Sequence, residues 1–220
     1  MPAVRQAALV AAGLALAFVG FSLFVATGDL FRVDRDIAAS VATLYAPNLL
    51  TAFRAIALLG GLEATTLVGL GIFAYLWREG YRLGAWAVAA LPLATVVELI
   101  DKHTIVHPAP PGSLSHPDGP SLSELVEGPA GGGWSFPSGH MTRAVVVYGL
   151  LSFLVVRLAR RPLARRLAPW VAIGLLLLMA FDRLYLEVHW ESDVIGGVLL
   201  GATFLAASIT WLEWSEARSE

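Results

Sequence analysis

A histidine and an aspartate, His189 and Asp193, stand four residues apart just before a long apolar stretch. At this spacing two side chains lie on one face of a helix, so the carboxylate can hold one imidazole nitrogen and fix the tautomer. The other nitrogen is then available to attack an electrophile. A second histidine, His140, ends the segment Pro-Ser-Gly-His (137–140) before another apolar stretch and can protonate a leaving group. These residues indicate nucleophilic catalysis by His189, with Asp193 orienting it and His140 as the general acid.

The residues around these histidines suit an anion. A helix start preceded by Ser138 and Gly139 offers unpaired backbone N–H groups, and glycine lets an oxygen approach the backbone closely. Lys102 and Arg183 add positive charge, and the planar guanidinium matches phosphoryl oxygens. Such donors stabilise a phosphoryl group without a metal or other cofactor. Taken singly, Lys102 can snorkel, Ser138 can cap a helix, and the His–Asp pair can be an ordinary helical pair. Their combination predicts phosphoryl transfer through a phosphohistidine.

The composition is that of a membrane protein. Of 220 residues, 57% are hydrophobic, compared with roughly 45–50% in soluble domains. The net charge of -2 gives no broad basic surface for nucleic acid. The chain has no cysteine, which excludes disulfides, thiolate catalysis and cysteine-bound zinc. The composition indicates membrane lipids as the surroundings and does not indicate an oligomeric state.

Six apolar segments have about the length that a bilayer crossing requires. We predict an all-α, polytopic membrane protein in which residues 1–220 form a single integral-membrane domain. The first segment is too long for a signal peptide and is interpreted as an uncleaved anchor. Residues 34–58 alternate apolar and polar positions at helical spacing and are predicted to form short interfacial helices. The spans are expected at about 7–27, 60–77, 83–101, 141–158, 167–184 and 193–213.

The arginines predict the orientation of these spans, because short cytoplasmic loops are enriched in Lys and Arg. Arg5, the turn 78–82 and the arginine-rich turn 157–166 fall on one side of the six-span topology. We therefore expect a multi-pass cell-membrane protein with both termini in the cytoplasm. The loop 102–140 and the predicted active site then face outward.

The motifs resemble those of the type 2 phosphatidic acid phosphatase superfamily, which is related to the vanadium haloperoxidases. The second family motif, P-S-G-H, is present at 137–140, and the third is matched by Arg183, His189 and Asp193 in residue type and spacing. The resemblance implies a metal-independent membrane phosphatase with a phosphohistidine intermediate. The implied substrates are lipid phosphates or pyrophosphates, such as polyprenyl pyrophosphate, phosphatidylglycerol phosphate or phosphatidic acid.

The sequence also departs from the family pattern. In the first motif, Lys102 and Pro110 fit, but Ala109 stands where the family has arginine. His107, two residues earlier, is a further candidate for phosphate binding. Asp182 replaces the serine that usually precedes the third-motif arginine, and Glu187 and Glu191 add negative charge. An alternative function is therefore a catalytically weakened relative that binds lipid phosphates without turnover.

Three other interpretations concern a histidine pair, the acidic residues near the spans and the long loop. His103 and His107 have the spacing of a metal-binding pair, although Pro108 disfavours a continuing helix. A transporter would be expected to carry buried charges within its spans, and the nearest candidates are Glu98 and Glu63, the latter beside Gly60–Gly61. These residues are better explained as packing or as support for the site. The loop 103–137 is either a lid over the site, with Trp134 at the lipid interface, or a connector.

Overall fold

The computed structural model describes residues 2–111 and 135–218 of the chain. Within these ranges the chain forms eight α-helices and two 3₁₀ helices. The α-helices are α1 (Pro2–Ala26), α2 (Phe31–Ala42), α3 (Leu50–Gly60), α4 (Leu62–Arg78), α5 (Ala90–Thr104), α6 (Gly139–Leu158), α7 (Pro162–Tyr185) and α8 (Glu191–Ala217), and the 3₁₀ helices are Pro47–Leu49 and Gly84–Ala89. Most of the predicted lid, with Trp134, lies outside the described residues.

Among the described residues, five helical segments are long and apolar enough to cross a membrane. The prediction of an all-α polytopic membrane protein is confirmed. The predicted second span corresponds to α4, whose 17 residues are near the lower limit of about 17–25 for a bilayer crossing. The five segments are Val4–Ala26, Gly84–Thr104, Gly139–Leu158, Pro162–Tyr185 and Glu191–Ala217.

The region predicted as interfacial helices is a sharply bent pair. α2 and the segment Pro47–Gly60 meet at an angle of 94°, and they would be a sixth span if counted as one broken helix. Ala46, at the junction, is extended with φ −136° and ψ 119°. The residue before a proline avoids the helical region, so Pro47 both ends the turn and starts the next helical segment.

Glycines on α8 let it approach α6 at close range. A Cβ at Gly197 would lie 2.5 Å from the Ser138 carbonyl oxygen and 2.8 Å from Met141 Cβ. One turn on, a Cβ at Gly201 would lie 2.8 Å from the Thr142 carbonyl oxygen. Small residues drive such contacts in membranes, where apolar burial gives no preference for protein over lipid. The start of α6 is thereby held against the first turns of α8.

The packing of α1 shows which ends of the helices lie together. α1 packs along α8, and the Phe18 ring stacks on Phe136 with centroids 6.4 Å apart. Phe136 precedes α6, so the carboxyl-terminal half of α1 lies near the starts of α6 and α8. The ends of α1 and α8 that carry Pro2 and Arg218 therefore lie at the opposite end of the bundle.

The end of α3 packs against the same region. A Cβ at Gly60 would lie 3.2 Å from His140 Cβ and 2.9 Å from Met179 Sδ, so glycine is needed for this approach. The Tyr148 hydroxyl donates to the Leu59 carbonyl oxygen at 2.7 Å. These contacts place the end of α3 beside the start of α6, which carries His140.

Candidate active site

His189 and Asp193 are in direct contact, as their spacing predicts. His189 Nδ1 lies 3.3 Å from Asp193 Oδ2. The same oxygen accepts a hydrogen bond from the Trp190 backbone N–H at 2.8 Å, which caps the start of α8. A carboxylate can only accept, so Nδ1 is the donor and Nε2 carries the lone pair. The imidazole is 11% exposed, so the ring lies at the edge of the buried cluster.

The Ser-Gly-His segment joins this pair through the backbone. Ser138 donates its N–H to the Asp193 carbonyl oxygen at 3.0 Å. The Ser138 hydroxyl is completely buried and has no hydrogen-bond partner among the described residues. A buried hydroxyl without a partner is costly in a folded protein. It therefore marks a position where a bound oxygen would be favourable.

Gly139 and His140 form the first turn of α6. A side chain at Gly139 would overlap the carboxylate of Glu98, so only glycine admits that carboxylate to the helix start. His140 is 8% exposed, and its electrostatic neighbours are Arg183, Arg143, His189 and Lys102. The structure thus brings together the residues that the three motifs contribute.

Glu98 connects two of the cations. Its Oε1 lies 3.0 Å from Lys102 Nζ, one turn further along α5. Its Oε2 lies 3.4 Å from Arg143 Nη1 on α6, and Arg143 Nε also donates to the Gly60 carbonyl oxygen at 3.4 Å. Glu98 and Arg143 are fully buried, so each needs the other's charge. This confines Lys102 and Arg143 to one side of the cluster.

Arg183 is paired with its neighbour in sequence. Its Nε donates to Asp182 Oδ2 at 2.9 Å, and both side chains have no solvent exposure. The guanidinium is therefore held in place by the residue that replaces the usual serine. An incoming phosphoryl group would have to share Arg183 with this carboxylate.

The structure places His107 between two carboxylates. Its Nδ1 lies 3.0 Å from Asp193 Oδ1 and its Nε2 lies 3.6 Å from Asp34 Oδ2. Burial by itself lowers the pKa of His107, but the interactions with Asp193 and Asp34 outweigh it and raise that pKa from 6.5 to about 9. His107 therefore carries a positive charge at neutral pH.

Two residues at the site were not predicted from the sequence. Asp34 and Arg143 are both buried and both bridge separate helices, α2 to α8 and α6 to α5. Arg143 has a signal in the sequence, because a charged residue one turn inside a membrane span needs a partner. Asp34 has none, since it lies among other charges in a helix with an exposed polar face.

His103 and His107, whose spacing is that of a metal-binding pair, do not lie on a common helical face. α5 ends at Thr104, and Ile105 is extended with φ −100° and ψ 116°. His103 remains exposed on α5 with Nδ1 2.6 Å from the Leu99 carbonyl oxygen, while His107 is buried. No group of three or more metal-ligating side chains occurs within residues 2–111 and 135–218.

Comparison with known families identifies the family of the chain. A family model described as the PAP2 superfamily matches residues 10–217. The chain belongs to the PAP2 superfamily. The resemblance drawn from the motifs is thereby confirmed, and the matched range runs from within α1 to the end of α8.

Other PAP2 proteins resemble parts or all of the chain. A lipid A 4'-phosphatase of Bacteroides thetaiotaomicron is 32% identical over 89 residues, which cover 40% of this chain and 36% of that protein. Phosphatidylglycerophosphatase B of Bacillus subtilis is 38% identical over 69 residues, covering 31% of this chain and 34% of that protein. The matches thus span about a third of each curated relative.

A solved PAP2 structure has the same fold. It is the crystal structure of a transmembrane PAP2-type phosphatidylglycerolphosphate phosphatase from Bacillus subtilis. It matches with a TM-score of 0.69 and 21% identity, over 96% of both chains. This likeness supports the membrane-spanning helical architecture of the chain.

Proposed function

We propose that the chain is an integral-membrane lipid phosphatase that hydrolyses a phosphomonoester or a pyrophosphate of a lipid, and so releases phosphate, through a phosphohistidine intermediate. The observation that carries this proposal is the His189–Asp193 contact, with Nδ1 held at 3.3 Å and Nε2 free. Trp190 fixes the same carboxylate, so the imidazole is oriented before any substrate arrives. This arrangement suits a nucleophile.

The reaction follows from these positions. Nε2 of His189 forms a bond to the terminal phosphorus while the phosphorus–oxygen bond to the departing lipid alcohol or lipid phosphate breaks, and His140 gives its proton to the departing oxygen. Lys102, Arg183, the Ser138 hydroxyl and the backbone at Gly139 hold the phosphoryl oxygens. His140 then takes a proton from water, which cleaves the phosphorus–nitrogen bond and releases phosphate. Every step uses protein groups alone, so the proposed hydrolase is metal-independent.

Substrate choice is expected to follow from the surroundings of the site. The helix ends that carry it adjoin apolar helices, so a lipid tail can stay in the bilayer during the reaction. The names of the relatives, a lipid A 4'-phosphatase and a phosphatidylglycerophosphatase, support a lipid phosphate. Polyprenyl pyrophosphate, phosphatidylglycerol phosphate and phosphatidic acid all meet this condition.

The distribution of arginines supports an outward-facing site with both termini in the cytoplasm. Pro2 and Arg218 lie at the end of the bundle away from His140 and His189. The turn after α4 and the arginine-rich turn between α6 and α7 lie at that same end. The chain lacks cysteine, so one cysteine at Gly119 and one at Glu79 can be labelled separately in cells. A membrane-impermeant reagent should label only position 119. Labelling of only position 79 would show that the site faces the cytoplasm and the proposed orientation is wrong.

A second candidate function is phosphate-lipid binding without turnover. It is favoured by the pairing of the cations with carboxylates of the chain, Arg183 with Asp182 and Lys102 with Glu98. Such pairs compete with a phosphoryl group for the same charges. Ala109 also leaves the first motif without its arginine.

Phosphate release by the purified protein in detergent tests the proposal. The panel should contain the three lipid phosphates named above and a water-soluble phosphomonoester. We expect release from at least one lipid, unaffected by chelator and inhibited by vanadate, which imitates a five-coordinate phosphate. Acid-labile label from radioactive substrate should be trapped on the wild-type protein and absent from His189→Ala. Lipid binding without release or trapped label would instead establish the second candidate.

A further inference from the structure

Asp34 ties the start of α2 to the start of α8. It is 3% exposed, and its Oδ1 accepts the Ser192 backbone N–H at 3.0 Å. Its Oδ2 accepts the Ser192 hydroxyl at 2.8 Å. A carboxylate at a helix start is stabilised by the free N–H groups there. Ser192 directly precedes Asp193, so Asp34 acts on the turn that carries the catalytic carboxylate.

His107 lies in the same buried space, where Ser135 and two aromatic rings contact its imidazole. Its Nδ1 lies 3.2 Å from the Ser135 hydroxyl, and Ser135 N–H donates back to the His107 carbonyl oxygen at 2.9 Å. The rings of Phe31 and Phe136 lie with centroids 5.4 Å and 6.3 Å from the imidazole. Only 1% of the His107 side chain is exposed, compared with 11% for His189. This burial favours contact with protein groups over contact with a substrate.

Asp193 is shared between the two histidines. Oδ2 faces His189 at 3.3 Å, whereas Oδ1 faces His107 at 3.0 Å. We propose that Asp34 and His107 form a positioning arm that acts on Asp193 and, through it, on the nucleophile His189. The order of contacts is Asp34, His107, Asp193, His189. This inference rests on the proposed function and deepens it.

The proposed role of the arm is to keep the Asp193 carboxylate ionised and fixed in orientation. Asp193 is fully buried, and a buried carboxylate needs partners on both oxygens to stay ionised and fixed. The imidazolium of His107 faces Oδ1 as an ion-pair partner at 3.0 Å, and Asp34 balances the charge of His107 from α2. His189 then meets a carboxylate whose rotation is prevented. Loss of the arm should slow attack on phosphorus and leave phosphate binding intact.

Three variants separate this role from packing and from direct phosphate binding. In His107→Asn, the amide nitrogen can occupy the position of Nδ1 and keep a polar N–H group facing Asp193. His107→Leu has a similar shape and no donor. Asp34→Asn removes the charge while preserving size and an acceptor for Ser192. All three should be measured by kcat, KM and the rate of phosphoenzyme formation in detergent, alongside the wild type and His189→Ala.

We expect His107→Leu to lower kcat and the phosphoenzyme formation rate by roughly 10- to 100-fold, the scale of losing one close interaction with a buried charged group. KM should stay within about 2-fold of wild type, because the arm does not touch the phosphate. His107→Asn should recover most of kcat. Asp34→Asn should lower kcat by a smaller factor, and the double variant Asp34→Asn/His107→Leu should be no slower than His107→Leu alone.

Other results would overturn the arm. A raised KM with unchanged kcat in His107→Leu would make His107 a phosphate ligand. Equal losses in the Asn and Leu variants, or losses that multiply in the double variant, would show packing or independent effects. If His107→Leu does not fold, a normal kcat in Asp34→Asn would overturn the proposal by itself. An inactive wild type would contradict the proposed function, whereas an active wild type with unaffected variants would contradict only the arm.

Discussion

The Oδ2 atom of Asp182 lies 2.9 Å from Nε of Arg183, and neither side chain is exposed. The pairing orients the guanidinium, but it also supplies a negative charge at the place where a phosphoryl group would bind. The residue that departs from the family pattern therefore has two effects of opposite sign. It stabilises the fold by pairing a buried cation, and under the proposed function it would weaken the attraction of that cation for a phosphate substrate.

We expect Asp182→Ser, which restores the usual family residue, to separate these effects. KM for a lipid phosphate should fall by roughly 3- to 10-fold, since about 1.4 kcal/mol corresponds to a tenfold change in affinity. The unfolding temperature should fall at the same time, because Arg183 loses a buried carboxylate that pairs with it. Asp182→Asn, which keeps the size and loses the charge, serves as the control and should also lower KM. An unchanged or higher KM in both variants would show that Asp182 does not compete with phosphate.

The contact between α6 and α8 gives a second prediction, on stability. A Cβ at Gly197 would lie 2.5 Å from the Ser138 carbonyl oxygen, whereas a Cβ at Gly174 on α7 meets no atom within 4 Å. Gly197→Ala should therefore cost about 1–3 kcal/mol of stability through overpacking and should reduce kcat by displacing Ser138. Gly174→Ala, the matched control, should be neutral or slightly stabilising. Thermal unfolding and phosphate release of both variants test this, and equal behaviour of the two would contradict it.

Much of the fold could be predicted because it depends on local sequence. A bilayer demands long apolar helices, so α1, α6, α7 and α8 follow directly from runs of hydrophobic residues. The region 34–58 was harder, since its helical pattern is correct but its 94° bend depends on the junction before Pro47 and on contacts with α6 and α7. Periodicity indicates which face of a helix is apolar and does not indicate how two helices meet.

The same distinction applies to the site. His140, His189 and Asp193 could be found because their spacing along the chain is itself the chemical pattern. Asp34 could not, because its partner Ser192 is 158 residues away and nothing nearby in sequence marks it as buried. His107 was assigned to phosphate binding from its position in the first motif, and that assignment remains a prediction beside the positioning role proposed above.

The charge of His107 predicts a pH dependence of stability. Asp34 from α2 and Asp193 from α8 face its ring, and His189 contacts the second oxygen of Asp193. The pKa of His107 is raised from 6.5 to about 9, so its stabilising contribution is complete below about pH 6.5 and is lost as pH rises through 9. The unfolding temperature of the wild type should fall between these limits. His107→Asn cannot titrate and should show a flatter profile there, and parallel profiles would contradict the raised pKa.

Substitutions of the two proposed catalytic histidines should impair phosphate release in different ways. His189→Ala removes the nucleophile, so neither phosphoenzyme nor product should form from any substrate. His140→Ala keeps the nucleophile but leaves the departing alkoxide unprotonated, a loss of roughly 10²–10⁴-fold for general acid catalysis. A lipid phosphate leaving from a pyrophosphate is a much weaker base than an alkoxide and needs that proton less. The His140→Ala variant should therefore retain more relative activity on a lipid pyrophosphate than on a lipid monophosphate. The activity of Asp193→Asn should lie between the activities of the two histidine variants, because the imidazole remains while its tautomer is no longer enforced.

Phosphate release and trapped label on both substrates provide the measurement. Turnover by His189→Ala, or equal losses on both substrates in His140→Ala, would require the two roles to be reassigned.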